Sequence, residues 1–162
     1  LTGDAQPMTP EGQHEMAIAV LEMFSGGEIM VLAGMSASAE RKEVFSITSC
    51  ASYRIELESK GVDVRRSEPE AGVIGLAALI TALGPLKNVK TSCTIATTLG
   101  NSVDPVAAQL LLETIRKWWD LPLPVPIDAT ERLAQKVRNM EKYFWKELGI
   151  AVQIAETDSN CW

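Results

Sequence analysis

The sequence predicts an α/β fold, because helical segments alternate with short apolar segments rich in β-branched residues. Its 162 residues are 46% hydrophobic, which is enough for one compact core. Helix boundaries are specified locally, as the stretch NSVDPVAAQLLLETIRKWW shows: Asp104 suits an N-cap and Pro105 suits the first helical position. We therefore expect one α/β domain over residues 1–150, followed by a polar tail over 151–162.

The first half of the chain predicts two helices and three strands. In TPEGQHEMAIAVLEMFSGG, Thr9 can cap a helix that ends at the glycine pair. EIMVLAGM predicts a buried strand, VFSITSC a more exposed strand and VDVRR a weak edge strand. Between the last two, ASYRIELESKG predicts a short helix that ends at Gly61. The residues expected to share one apolar face of the first helix are Met16, Ala17, Val20, Met23 and Phe24.

The second half predicts three helices around a central strand. GVIGLAALITALGPL has almost no charge, which indicates a helix buried on most sides, and NVKTSCTIATTL is β-branched enough for a central strand. The helix after Asp104 carries an apolar stripe of Ala108, Leu111, Leu112, Ile115 and Trp119. DLPLPVPID is a stiff connector because of its prolines. A last helix begins at the capping box DATE and continues through a seam of Leu133, Val137, Met140 and Phe144.

Composition argues against several functional classes. The net charge is −6, and the one Arg-Arg pair, Arg65-Arg66, is followed by acidic residues, so we expect no nucleic-acid partner. No apolar run reaches the roughly 18 residues of a membrane span, and no signal peptide is evident. The three cysteines are widely spaced and there is a single histidine, which predicts reduced thiols in a cytoplasmic protein and no metal or cofactor.

Three loops are candidate ligand sites because they follow strands or precede helices. Gly34 and Ser36 lie where a strand ends, a usual position for ligand loops in α/β folds. Gly72 and Gly75 form a turn into a helix, where backbone N–H groups can receive an anion. The third loop contains Asn101 and Asp104. We expect these loops to meet at one edge of the sheet.

Each candidate also has a simpler structural interpretation. Glycine is selected wherever a helix packs closely on a sheet, Ser36 lacks the pattern of a nucleophile elbow, and capping alone accounts for Asp104. We therefore assign no catalytic residue. Candidates for contact with a partner are aromatic: Tyr143 and Trp145 in the last helix, and the terminal Trp162.

Several of these segments together resemble the PAC2 family, the archaeal and bacterial relatives of the eukaryotic proteasome assembly chaperones. VLAGMSA, GVIGLAALITAL, SVDPVAAQLLLETI and ATERLAQKVRNMEKYF occur in this order, and the resemblance covers roughly residues 1–148. It implies a three-layer α/β/α sandwich similar to the phosphorylase/hydrolase-like fold, with a C-terminal helix packed on it. It also implies oligomers and no established catalytic constellation.

Two features depart from the family pattern. Members usually begin with a further strand, a glycine-bearing loop and a helix before the segment that resembles LTGDAQP, so we expect a sheet edge that other residues or another chain must cover. Some assembly chaperones end in a hydrophobic-Tyr-any motif that docks between proteasome α subunits. This chain ends in NCW, with its aromatic residue last, which puts docking through that motif in doubt.

The resemblance implies a non-enzymatic binding protein that forms homo-oligomers and presents a surface to proteasome α subunits or a similar ring complex. The alternative is a small-molecule-binding protein or an enzyme of hydrolase-like or ligase-like ancestry that uses the three loops at the strand ends.

Overall fold

The computed structural model describes residues 6–37, 42–66, 72–100 and 104–122, together with the helical residues 132, 135, 136 and 139. The chain divides into two compact units, Leu1–Val125 and Pro126–Trp162. In the second unit, the Gln135 amide donates a hydrogen bond to Asn139 Oδ1 at 3.1 Å, one helical turn later. The seam predicted for the last helix lies outside the described residues.

The described part of the first unit contains four helices and three strands. The helices are α1 (Pro10–Met23), α2 (Ala51–Ser59), α3 (Gly75–Leu83) and α4 (Pro105–Trp119). The strands are β1 (Glu28–Ser36), β2 (Val44–Ile47) and β3 (Lys90–Thr98), and a 3₁₀ turn (Gly84–Lys87) connects α3 to β3. No helix among the residues described is both long and apolar enough to cross a bilayer.

The three strands form a sheet in the order β1-β3-β2. β1 runs parallel to β3, with Glu28 opposite Lys90 and Ser36 opposite Thr98. β2 runs antiparallel to β3. The predicted edge strand VDVRR is reduced to one bridge, in which Val64 pairs with Ser46 on the outer side of β2. The prediction that β3 is central is confirmed.

Helices cover both faces of this sheet. On one face, α1 and α3 pack around Ala17, Leu21 and Ile80, and α3 continues onto the side chains of Phe45, Cys93 and Ile95. On the other face, α4 packs against Val44 and Ala96. Helix α2 lies on the same side as α4, because the Tyr53 and Leu57 cluster shares Trp118 with it. The described fold is therefore an α/β/α sandwich, as expected.

The helix starts follow the local sequence signals. Thr9 Oγ1 accepts a hydrogen bond from the Gly12 N–H at 3.1 Å, and Pro10 occupies the first position of α1. Asp104 caps α4 in the same way, ahead of Pro105. These caps satisfy N–H groups that have no partner inside the helix. Both predicted helix starts are confirmed.

Burial along β1 and β2 differs from the prediction. β1 was expected to be buried, but it lies at the edge of the sheet and Leu32 is 46% exposed. β2 was expected to be more exposed, but Val44, Phe45 and Ser46 are all buried. The reason is strand order: β2 has β3 on one side and the Val64 bridge on the other, whereas β1 pairs on one side only among the described residues.

The predicted apolar faces of two helices are also only partly correct. In α1, Ala17 and Val20 are buried, whereas Met16, Met23 and Phe24 are 43%, 70% and 41% exposed. A helix that packs on one neighbour buries a narrower stripe than its apolar residues mark out. In α4 the stripe is shifted by one residue at its start, since Ala107 is buried and Ala108 is exposed.

A polar clamp, formed by Glu28, Tyr53 and Trp119, joins β1 to α2 and α4 near the amino ends of β1 and β3. The Tyr53 hydroxyl of α2 donates a hydrogen bond to Glu28 Oε1, and Trp119 Nε1 at the end of α4 donates to the same oxygen at 3.3 Å. Lys90 Nζ lies 5.7 Å from the centre of the Tyr53 ring. Burial, followed by the hydrogen bond and negative charge of Glu28, raises the pKa of Tyr53.

We predict that replacing Glu28 with Gln lowers the pKa of Tyr53, because the amide removes the negative charge that opposes ionisation. Near-ultraviolet titration in a Tyr143→Phe background isolates Tyr53, since the chain has two tyrosines. The raised pKa stabilises the fold below the unfolded value of about 10, and that stability is lost as the pH rises through the folded pKa. Glu22→Gln, whose carboxylate pairs with Lys87, is the control. A Tyr53 that ionises near pH 10 with Glu28 intact contradicts the clamp.

Candidate functional site at the carboxyl ends of the strands

Two of the predicted loops meet where β1 and β3 end. Because these strands are parallel and in register, Ser36 lies opposite Thr98 and both loops leave the same end of the sheet. Gly100 has φ +85°, and a Cβ at this position would overlap Ser36 Oγ. Two constraints therefore require glycine at position 100: the positive φ of its backbone and its close contact with Ser36.

Asp104 is enclosed by hydrogen-bond donors. Its Oδ1 accepts from the Ala107 N–H at 3.0 Å, and its Oδ2 accepts from the Leu99 N–H at 3.3 Å. Lys42 Nζ lies 2.5 Å from Oδ2, and the Asp104 side chain is only 7% exposed. Burial opposes ionisation, but the hydrogen bonds and charge of Lys42 together with the two N–H groups outweigh it and hold the pKa of Asp104 below its usual value.

These contacts make Asp104 a structural carboxylate. Both oxygens are occupied by donors from three segments: the residues before β2, the end of β3 and the first turn of α4. The capping interpretation of Asp104 is thus confirmed, and a role in binding a ligand stays a prediction.

The remaining loop candidates lie as follows. Gly34 lies within β1, where a Cβ would come within 3.2 Å of the Thr98 methyl group. Gly72 and Gly75 have φ values of +68° and +73°, and Gly75 lies beside the Gln6 and Gln13 side chains near the start of α1. The residue that caps α3 is Ile74, whose side chain cannot accept a hydrogen bond.

Four predicted residues lie outside the described part of the chain: Asn101, Tyr143, Trp145 and Trp162. Within the described ranges, no group of three or more His, Cys, Asp and Glu side chains is arranged to hold a metal ion. Cys93 is fully buried in the core, where burial raises the pKa of its thiol to about 11 and disfavours the reactive thiolate.

Sequence reasoning missed a cavity on the opposite edge of the sheet. It has a volume of about 210 Å³ and lies between the end of β2, α3 and the Arg65-Arg66 doublet. The doublet was visible in the sequence as the one Arg-Arg pair. Its position beside small α3 residues such as Ala78 and Ala82 depends on chain crossings that local patterns do not show.

Comparisons with known proteins identify the family. The PAC2 family pattern matches residues 1–144. The chain belongs to the PAC2 family. Pyrococcus furiosus PbaA, described as an archaeal homolog of proteasome-assembly chaperone, matches with a TM-score of 0.70 and 21% identity over 87% of this chain and 61% of PbaA. Pyrococcus furiosus PbaB, described as an archaeal proteasome activator, matches with a TM-score of 0.65 and 24% identity over 90% of this chain and 62% of PbaB.

Another relative matches over a similar share of this chain. An uncharacterized protein of Methanocaldococcus jannaschii is 22% identical over 147 residues, which are 89% of this chain and 55% of the relative. The chain therefore spans about half the length of that protein and about three fifths of PbaA and PbaB. At these identities the structural likeness establishes a shared fold.

We predict that Asp104→Ala lowers the free energy of unfolding by about 1–2 kcal/mol, because it removes the cap of α4 and the partner of Lys42. Asp104→Asn keeps an acceptor and should cost less. The carboxylate's contribution is fully present above the unfolded pKa of about 4 and is lost as the pH falls through the depressed folded pKa. Urea denaturation from pH 7 down to pH 3 measures both effects.

The matched control is Asp63→Ala, an exposed carboxylate whose removal should change stability by less than about 0.5 kcal/mol. Equal losses for Asp63→Ala and Asp104→Ala would count against the capping role. So would a difference between wild type and Asp104→Asn that stays constant down to pH 3.

Proposed function

We propose that this protein is a non-enzymatic binding protein that forms homo-oligomers and presents a surface to proteasome α subunits or a similar ring complex. The observation that carries the proposal is membership of the PAC2 family together with the fold shared with PbaA and PbaB. PbaA is an archaeal homolog of proteasome-assembly chaperone, and PbaB is an archaeal proteasome activator. We extend that role to this chain and propose that it acts in the cytoplasm.

The edge of β1 supports the self-association part of the proposal. A nine-residue strand leaves a row of backbone N–H and C=O groups on its outer side, where no other strand pairs among the described residues. Edge strands usually carry lysine, proline or a bulge that prevents pairing. The sequence EIMVLAGMS has one charge, at Glu28, and that carboxylate is held by Tyr53 and Trp119. The edge is therefore suited to accept another strand.

The loop contacts are also those expected of a scaffold. Asp104 holds three segments together and Ser36 packs on Gly100, so these two side chains serve the fold at the carboxyl ends of the strands. We propose that contact with the ring complex is made by aromatic residues of the second unit, Tyr143, Trp145 and Trp162. Aromatic side chains supply large contact areas at protein interfaces.

Native mass spectrometry of the chain, alone and mixed with archaeal proteasome α subunits, tests the proposal. We expect concentration-dependent oligomers of the chain alone and a joint complex in the mixture. Leu32→Lys places an ammonium group at an exposed position of the edge strand β1 and should weaken self-association about tenfold or more. Ile55→Lys is the matched control, since Ile55 is 68% exposed and lies on α2 rather than on the edge strand.

A chain that stays monomeric at all concentrations and forms no joint complex would overturn the proposed function. Oligomers that Leu32→Lys and Ile55→Lys weaken equally would remove β1 as the self-association surface. Self-association without a joint complex would support the proposed homo-oligomer and refute the proposed ring partner.

A further inference from the structure

The cavity beside β2 is lined in part by aliphatic side chains. Ile47 of β2 and Val73, Ala78 and Ala82 on or before α3 supply aliphatic surface around a volume of about 210 Å³. Pockets for drug-sized ligands and cofactors have volumes of roughly 300–1,000 Å³. The cavity is therefore too small for a nucleotide and suits a group about the size of one amino-acid residue.

The two arginines that line the cavity differ in how closely each is paired with a carboxylate. Arg65 is held by Glu43, with Nη2 2.6 Å from Oε2, and its guanidinium stacks 3.7 Å from the centre of the Phe45 ring. Its charge is thus matched and its position fixed. Arg66 is 79% exposed, and its Nη2 lies 4.0 Å from Glu58 Oε1, which is beyond hydrogen-bond distance. The Arg66 guanidinium can therefore engage an incoming carboxylate, whose geometry matches its planar fork.

Hydroxyl groups on the cavity wall offer lone pairs. Ser49 Oγ donates its proton to the Thr81 carbonyl at 2.7 Å, and Thr81 Oγ1 donates to the Ala77 carbonyl at 2.8 Å. A hydroxyl carries one proton and two acceptor lone pairs. With its proton committed to a backbone carbonyl, the Ser49 hydroxyl oxygen has lone pairs that can accept a hydrogen bond.

We propose that this cavity binds an apolar α-carboxylate group with an adjacent N–H, as found in the last residue of a peptide or in a free apolar amino acid. The carboxylate pairs with Arg66, the N–H donates to the Ser49 hydroxyl and the aliphatic side chain rests on Ile47 and Ala82. The assignment is independent of proteasome binding and concerns the isolated chain.

Two-dimensional NMR titration of the chain with N-acetyl-glycyl-leucine tests the site. We expect saturable shifts of backbone signals around Ser49 and Ala82. Removal of the ligand charge, in the C-terminal amide of the same peptide, should weaken binding about tenfold or more, because a charged hydrogen bond is lost. Free leucine distinguishes the two sources: tighter binding of the peptide identifies a chain terminus, and equal or tighter binding of leucine identifies the amino acid.

Two variants test the assigned residues. Arg66→Gln should weaken binding about tenfold or more, whereas the matched control Arg116→Gln, an exposed arginine in the last turn of α4, should leave it unchanged. Ala82→Leu fills the cavity from an exposed helix position and should abolish the shifts without unfolding the protein. Equal binding of the carboxylate and the amide, equal effects of the two arginine variants, or no saturable binding at millimolar peptide would overturn the proposal.

Discussion

The structure depends on the burial of β3 on both faces. Seven consecutive residues of this strand, Thr91 to Thr97, are buried, and six of them are polar or small rather than large and aliphatic. Most buried hydroxyl groups in folded proteins are hydrogen-bonded. Thr94 pairs with Ser46 of β2 at 2.7 Å, and Thr91 donates to the Thr81 carbonyl of α3 at 2.9 Å. β3 therefore fixes the position of β2 and α3 by directional bonds as well as by packing.

The central position of β3 also determines which surfaces of the described sheet are open. β2 is enclosed by β3 and the Val64 bridge, so the open strand of the described sheet is β1. At the end of β2, the chain turns past Ser49 toward α2 and leaves a small cavity against α3. At the carboxyl ends of β1 and β3, Lys42 contacts Asp104 and Gly100 lies against Ser36.

The sequence allowed the class of the fold and most element positions to be predicted, because those depend on local patterns. Asp104 and Pro105 mark a helix start by chemistry that acts within one turn, and β-branched residues mark β3. Strand order is a long-range property, so β1 was expected to be buried and β2 exposed, and both expectations were wrong. The Lys42 contact to Asp104, across 62 residues, and the cavity at Arg66 had no local signal for the same reason.

Residue-resolved hydrogen exchange of the chain, compared between dilute and concentrated samples, tests this account most directly. It predicts that the amides of β3 exchange slowest at every concentration, because their opening requires global unfolding. In dilute samples the outward-facing amides of β1 should exchange fast while those facing β3 are protected, and concentration should slow the outward set alone. Outward amides of β1 that are as protected as β3 in the dilute monomer would contradict it, as would fast exchange in β3.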